Sequence, residues 1–225
     1  QNEVARIVVM QTGADKAPSG CDTLTIDTLK SSRTMRAIAA EAKAPYTLLY
    51  FKEQYMEMGY YALNRMIQIA EATGAGMLYA DHYQTTADGT RNEAPVIDYQ
   101  TGSLRDDFDF GSVVLLRTDA LKEAAQRMTG DYQAAGFYDL RLKLSEKEDF
   151  VHINEYLYSE IELDNRKTGE KLFDYVDPRN RASQIEMEQA CTDYLKDVGG
   201  YLAPAFADVP LHEKGFEYEA TVMIP

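Results

Sequence analysis

The stretch "GAGMLYADHYQ" (74–84) decides how the chain reads. Met77, Leu78, Tyr79 and Ala80 form a compact apolar run behind two glycines, and the run passes straight into Asp81 and His82. Four apolar residues are too few for a helix and suit a buried strand, here one that delivers a carboxylate at its C-terminal end. Upstream, Met58, Tyr61, Ala62, Met66 and Ile69 stripe a helix that ends near Gly74, and "YTLLYF" (46–51) reads as another buried strand. Before Pro45, the positions Met35, Ile38, Ala39 and Ala42 recur at helical spacing behind a Ser31 or Ser32 cap. "ARIVVM" (5–10) and "TLTIDTL" (23–29) are two more strands, separated by Gly/Pro loop chemistry.

Downstream the pattern continues less regularly. Gln84 to Asp109 is polar and loop-rich, and "GSVVLLRT" (111–118) is a strand leading into a helix that carries Leu121, Ala124, Ala125 and Met128, with Thr118 or Asp119 as its cap. "YDLRLKL" (138–144) alternates like a strand, yet its Leu, Arg and Lys suit a helix equally, and periodicity leaves both open. "FVHINEYLY" (150–158) is extended. A last helix, with Met187, Cys191, Tyr194, Leu195 and Val198 on one face, runs to Gly199-Gly200. Strands alternating with helices imply an α/β domain, built as a mostly parallel central sheet with helices on both faces and a C-terminal helical extension.

Composition narrows the function classes. A chain of 225 residues with 45% hydrophobic content can bury one sizeable core, and a formal charge of −14 repels phosphate backbones, so nucleic acid is not an expected partner. The two cysteines, Cys21 and Cys191, have neither metal-type spacing nor a disulfide framework, which fits a reducing, cytoplasmic setting. No run approaches a transmembrane segment of about 20 apolar residues, and the first residues are not a signal peptide. Polar residues at strand ends are the site candidates in such a sheet: the loop after Met10, Lys52-Glu53-Gln54 after Phe51, and Asp81 with His82.

Order and spacing add a family resemblance. From about Ile7 to Tyr158 the chain resembles the inverting family 2 glycosyltransferases, which have the GT-A nucleotide-diphospho-sugar transferase fold. "GMLYADHYQTTADGTRNEAPVIDYQTGSLRDDFDFGSVVLLRTDAL" (76–121) is similar to that family's block from a strand ending in Tyr-Ser-Asp through "G…P" to "R…L". "AGFYDLRLKLSEKEDFVHINEYLY" (135–158) is similar to its "DyDLwLRL…HIPevLY" block, and "TLKSSRTMRAIAAEAKAPYTLLYF" (28–51) to the stretch before its metal motif. The resemblance implies transfer of a sugar from a nucleotide-diphosphate donor to a saccharide acceptor with inversion. It implies a nucleotide-sugar site built from Asp15, Lys52, Glu53 and Asp81, catalytic carboxylates at Asp139 and Asp81, and a divalent Mn²⁺ or Mg²⁺ with Glu53 and His152 as ligands. Glu53 and Asp81 are then expected in one cleft.

Residue by residue, the chain departs from that pattern. Met10, Gln11, Thr12 and Gly13 stand where the family has an acidic nucleobase contact, with Asp15 the nearest carboxylate. Phe51-Lys52-Glu53 replaces the metal-binding Asp-x-Asp, which removes one hard oxygen ligand and makes Lys52 the candidate to pair with phosphate directly. Phe137 occupies the position of the general base, the first Asp of "DyDL", and Asp139 that of the second. Loss of a positioned base costs about 10² to 10⁴ in rate. Two readings follow: a glycosyltransferase domain, or a catalytically degenerate GT-A-like domain with a structural or nucleotide- or saccharide-binding role beside an active second glycosyltransferase domain. The expected organisation is a GT-A-like domain over 1–163, a charged linker and C-terminal helix over 164–218, and at 219–225 ("EATVMIP") the first strand of a following glycosyltransferase domain. The alternative for the last segment is an edge strand of this domain's own sheet.

Overall fold

The computed structural model describes residues 4–13, 18–86, 88–161 and 180–206. Two short parallel strands, β1 (Val8–Gln11) and β2 (Asp22–Thr25), pair with each other. Helix α1 (Ser32–Glu41) follows, its first turn closed by the Ser31 hydroxyl accepting from the Thr34 amide at 3.1 Å. β3 (Tyr46–Tyr50) and β4 (Met56–Met58) precede α2 (Ala62–Thr73), whose last turn ends on Gly74 at φ 69°, a left-handed position that suits glycine. Then come β5 (Met77–Thr85), β6 (Arg91–Ala94), β7 (Val113–Arg117), α3 (Thr118–Arg127), α4 (Gly136–Ser145), β8 (Phe150–Ile161) and α5 (Arg181–Asp197).

The main sheet runs β3-β7-β5-β8-β4, with β6 attached to β5. It is mixed, which corrects the expectation of a mostly parallel sheet. β5 and β8 are parallel, whereas β3–β7, β7–β5, β5–β6 and β8–β4 are antiparallel. The cause is the β5–β7 connection. A parallel return needs a crossover, usually a helix, but Gln84 to Asp109 contains only the hairpin strand β6 and loop, so β7 comes back antiparallel. Between β5 and β8 the register slips twice: Ala80 faces Ile153, Asp81 faces Tyr156, and His82 faces Tyr158. The extra β8 residues bulge the ladder beside the two polar side chains of β5.

Helices cover both faces. Met35 and Ile38 of α1, Leu121 and Ala124 of α3, and Leu140 and Leu144 of α4 pack with Leu49, Met77, Tyr79, Val114 and Leu116 of the sheet. On the other face Ala62, Met66 and Ala70 of α2 meet Leu78, Ala80, Leu115 and Ile153. The ambiguous segment 138–144 is helical. Leu140 and Leu144 face the sheet core while Tyr138 and Leu142, also four apart, face α5 through Ala190 and Tyr194. Two stripes on one helix imitate strand alternation. Met58, expected in the second helix, lies in β4, and Tyr61 is the residue before α2, at φ 58°. Val198, expected on the buried face of the last helix, is exposed. No helix among the described residues is long and apolar enough to cross a membrane.

Candidate functional site

Three arrangements surround the C-terminal half of β5. The first is a chain of polar contacts. The buried Asp81 carboxylate accepts the Val96 amide at 2.9 Å and faces His152 Nε2 at 2.8 Å, while His152 Nδ1 faces Asp98 at 2.7 Å. Each imidazole nitrogen meets a carboxylate oxygen, so the ring is held from both ends. The Asp98 side chain is 86% exposed and the His152 side chain 7%, so the chain runs from solvent to a buried acid. His152 is held flat against its ladder partner Tyr79, with ring centroids 5.2 Å apart. Tyr79 in turn donates to the Ile97 carbonyl and accepts the Tyr99 amide, which straps the segment 96–99 across the sheet. Burial pushes the Tyr79 phenol up, beyond the range in which it ionises in ordinary solution.

The second arrangement centres on Glu160 of β8, which is buried. Its carboxylate receives Lys52 and Ser112 as hydrogen-bond donors and lies 3.4 Å from His82 Nε2. Burial alone would raise this carboxyl; the contacts from His82, Lys52 and Ser112 outweigh it and hold the group down to about 2. His82 stacks on its ladder partner Tyr158 at 4.9 Å, and its buried Nδ1 has no hydrogen-bond partner among the described residues. The Tyr158 hydroxyl accepts the Ser112 amide, and burial pushes that phenol up to about 12. Gly111 closes the network from above. Its φ is 71°, and a Cβ there would lie 2.3 Å from the Tyr158 hydroxyl, so only glycine fits.

On the other side of Gly111 lies the third arrangement, a cleft of about 190 Å³ lined by Leu29, Lys30, Phe51, Phe108, Asp109, Phe110, Gly111, Val114 and Phe137. Phe51 and Phe137 touch, with ring centroids 4.5 Å apart. Asp109 accepts the Gly111 amide at 2.8 Å. The Lys30 ammonium has no hydrogen bond or ion pair among the described residues.

Set against the expected site, Asp81 and His152 come together and Lys52 is drawn to Glu160. Glu53 is exposed and has no hydrogen bond or ion pair among the described residues, whereas Asp81 is sealed beneath His152 and the Val96 amide. Asp139 is buried in α4, with one carboxylate oxygen lacking a hydrogen-bond partner among the described residues. Burial pushes it up to about 6, against the pull of Lys143 and Arg36, and Asp193 and Glu146 add to the rise. Residues two apart on a helix point about 200° from each other, so Phe137 faces the cleft and Asp139 faces α1 and α5. Asp15, most of the charged stretch 164–181, and 219–225 lie outside the described residues.

The ligand set implied for a divalent metal does not fit these surroundings. The Phe51 side chain offers no oxygen, Lys52 is ion-paired, Glu53 has no second ligand beside it among the described residues, and both nitrogens of His152 are already engaged by carboxylates. Among the described residues no group of three or more His, Cys, Asp or Glu side chains is arranged to hold a metal ion. Glu160, Ser112 and Asp98 were missed by the sequence reading. The signal for Glu160 was its place two residues beyond the tyrosine-bearing run that ends at Tyr158, and the strand continues through it to Ile161. Compared with known proteins, the chain matches no family model and no curated sequence.

Proposed function

We propose that this is a GT-A-like domain, derived from a family 2 glycosyltransferase, that has exchanged donor chemistry for a non-catalytic binding role and leaves sugar transfer to a catalytic partner. One observation carries the reading. The residues at the two positions that the resemblance assigns to the first metal carboxylate and the general base, Phe51 and Phe137, pack ring against ring. An inverting transfer needs a carboxylate within hydrogen-bond reach of the acceptor hydroxyl and a cation opposite the donor diphosphate. Phe51 and Phe137 carry no carboxylate, and Lys52, the cation beside Glu53, is ion-paired with Glu160.

The active-transferase reading would draw on Asp81, Asp139, Glu53 and His152, and these sit in three different surroundings: a buried contact chain, a helix interior and open surface. Calorimetry with UDP and GDP, with and without Mn²⁺, tests the proposal. No metal-dependent binding and no turnover of nucleotide sugars are expected. Tight, Mn²⁺-dependent binding lost in Glu53→Ala would overturn it.

A further inference from the structure

We infer that the cleft beside Phe137 is a binding site for a small aromatic carboxylic acid, its ring held among the phenylalanines and its carboxylate paired with Lys30. This names the ligand class of the cleft discussed above and rests on the reading that it no longer serves a nucleotide sugar.

Size sets the first limit. Ligand sites commonly offer about 300–1,000 Å³, whereas this cleft holds about 190 Å³. Apolar cavities of about 150 Å³ take up a benzene ring, so there is room here for one six-membered ring with a short substituent and not for a nucleotide. Wall chemistry sets the second. The side chains of Leu29, Phe51, Phe108, Phe110, Val114 and Phe137 are hydrocarbon. A sugar ring carries hydroxyls around its edge, and each would be stripped of water against those walls without a partner. An aromatic ring loses nothing by entry and finds edges and faces already set at angles to one another: Phe51 is tilted 55° to Phe137, and Phe108 is tilted 41° to Phe110.

Charge sets the third limit. Two ionic groups stand at the cleft. One oxygen of Asp109 accepts the Gly111 amide, and the Lys30 ammonium has no hydrogen bond or ion pair among the described residues. An anionic substituent answers it, and the cleft is rigid where the ligand would rest. Gly111 is fixed by the hydrogen bond from its amide to Asp109 and by the Tyr158 hydroxyl beneath it, and the Phe51 amide donates to the Ser112 carbonyl at 3.0 Å.

Ligand-observed NMR and calorimetry on the full chain, with phenylacetate, benzyl alcohol and methyl α-glucoside as probes, test this. Phenylacetate should bind saturably and more tightly than benzyl alcohol, and methyl α-glucoside should not bind. Lys30→Ala, on an exposed side chain that leaves the fold alone, should weaken phenylacetate about three- to fivefold and leave benzyl alcohol unchanged. Leu29→Trp, which fills the cleft, should abolish both. Absence of saturable phenylacetate binding, or a preference for the glucoside, overturns the inference. So does a Lys30→Ala variant that binds phenylacetate as the parent does. Failure of the underlying reading shows elsewhere, as Mn²⁺-dependent binding of UDP or GDP.

Discussion

Replacing the buried Glu160 by glutamine should destabilise this fold, and the cost should depend on pH. Glu160 is buried, yet its carboxyl is held at about 2 against an ordinary 4.5. A difference of about 2.5 units corresponds to about 3 kcal/mol favouring the ionised, folded form. Because the folded value lies below the unfolded one, this contribution is complete above pH 4.5 and drains away as pH falls towards 2. Glutamine keeps the shape but turns a four-site acceptor into a group with one acceptor and two donors, opposite the donors Lys52, Ser112 and His82. The expected loss at pH 7 is about 2–3 kcal/mol, or about 5–10 °C in melting temperature for a chain of this length. Urea midpoints of parent and variant at pH 7, 5, 4 and 3 should converge as pH falls. Lys52→Ala should cost about 1 kcal/mol or less, because Lys52 is 40% exposed and leaves the other two contacts in place. A Glu160→Gln variant as stable as the parent at pH 7, or a gap of constant size from pH 7 to 3, would refute the reasoning.

Asp139 carries the opposite sign. Its folded value of about 6 lies above the ordinary 3.8, so the fold binds the extra proton between those values and loses up to about 3 kcal/mol as pH rises through them. Asp139→Asn should therefore match the parent near pH 4 and exceed it in urea midpoint at pH 7.5. Gly136→Ala places a Cβ 2.2 Å from the backbone of both Ser31 and Ser32, so α1 and α4 must separate; about 3 kcal/mol or more is expected, read as a fall in melting temperature, and a neutral result would show that this contact is looser than drawn.

How much of this was legible depended on whether a feature was local. β3, β5 and β7 announce themselves as short apolar runs, and the Ser31 cap and Gly74 stop bound their helices as their chemistry demands. Segment 138–144 did not, because its alternating apolar residues serve two opposite helix faces, one against the sheet and one against α5. Strand direction is not a local property at all. The clue to a mixed sheet was negative: Gln84 to Asp109 shows no helical stripe, and a parallel crossover needs one.

The site divides along the same line. Asp81 and His152 could be singled out as polar residues on apolar strands, but their contact spans 71 positions, and that of Lys52 with Glu160 spans 108. A glutamate after an apolar run reads as a solvated strand end; Glu160 is buried because β8 lies between β5 and β4 and continues past it. Asp139 shows why spacing within a motif is not enough. It stands where the resemblance puts the second acid of "DyDL", but on a helix it points about 200° away from position 137, towards Arg36, Lys143 and Asp193. The group aimed at the cleft is Phe137, already in contact with Phe51. A carboxylate placed at 137 would need Phe51 to give way as well, since it would otherwise be desolvated against an aromatic ring with no partner. Positions 51 and 137 are coupled by this contact, so exchanging either phenylalanine alone for a carboxylate should lower stability, read as a fall in melting temperature.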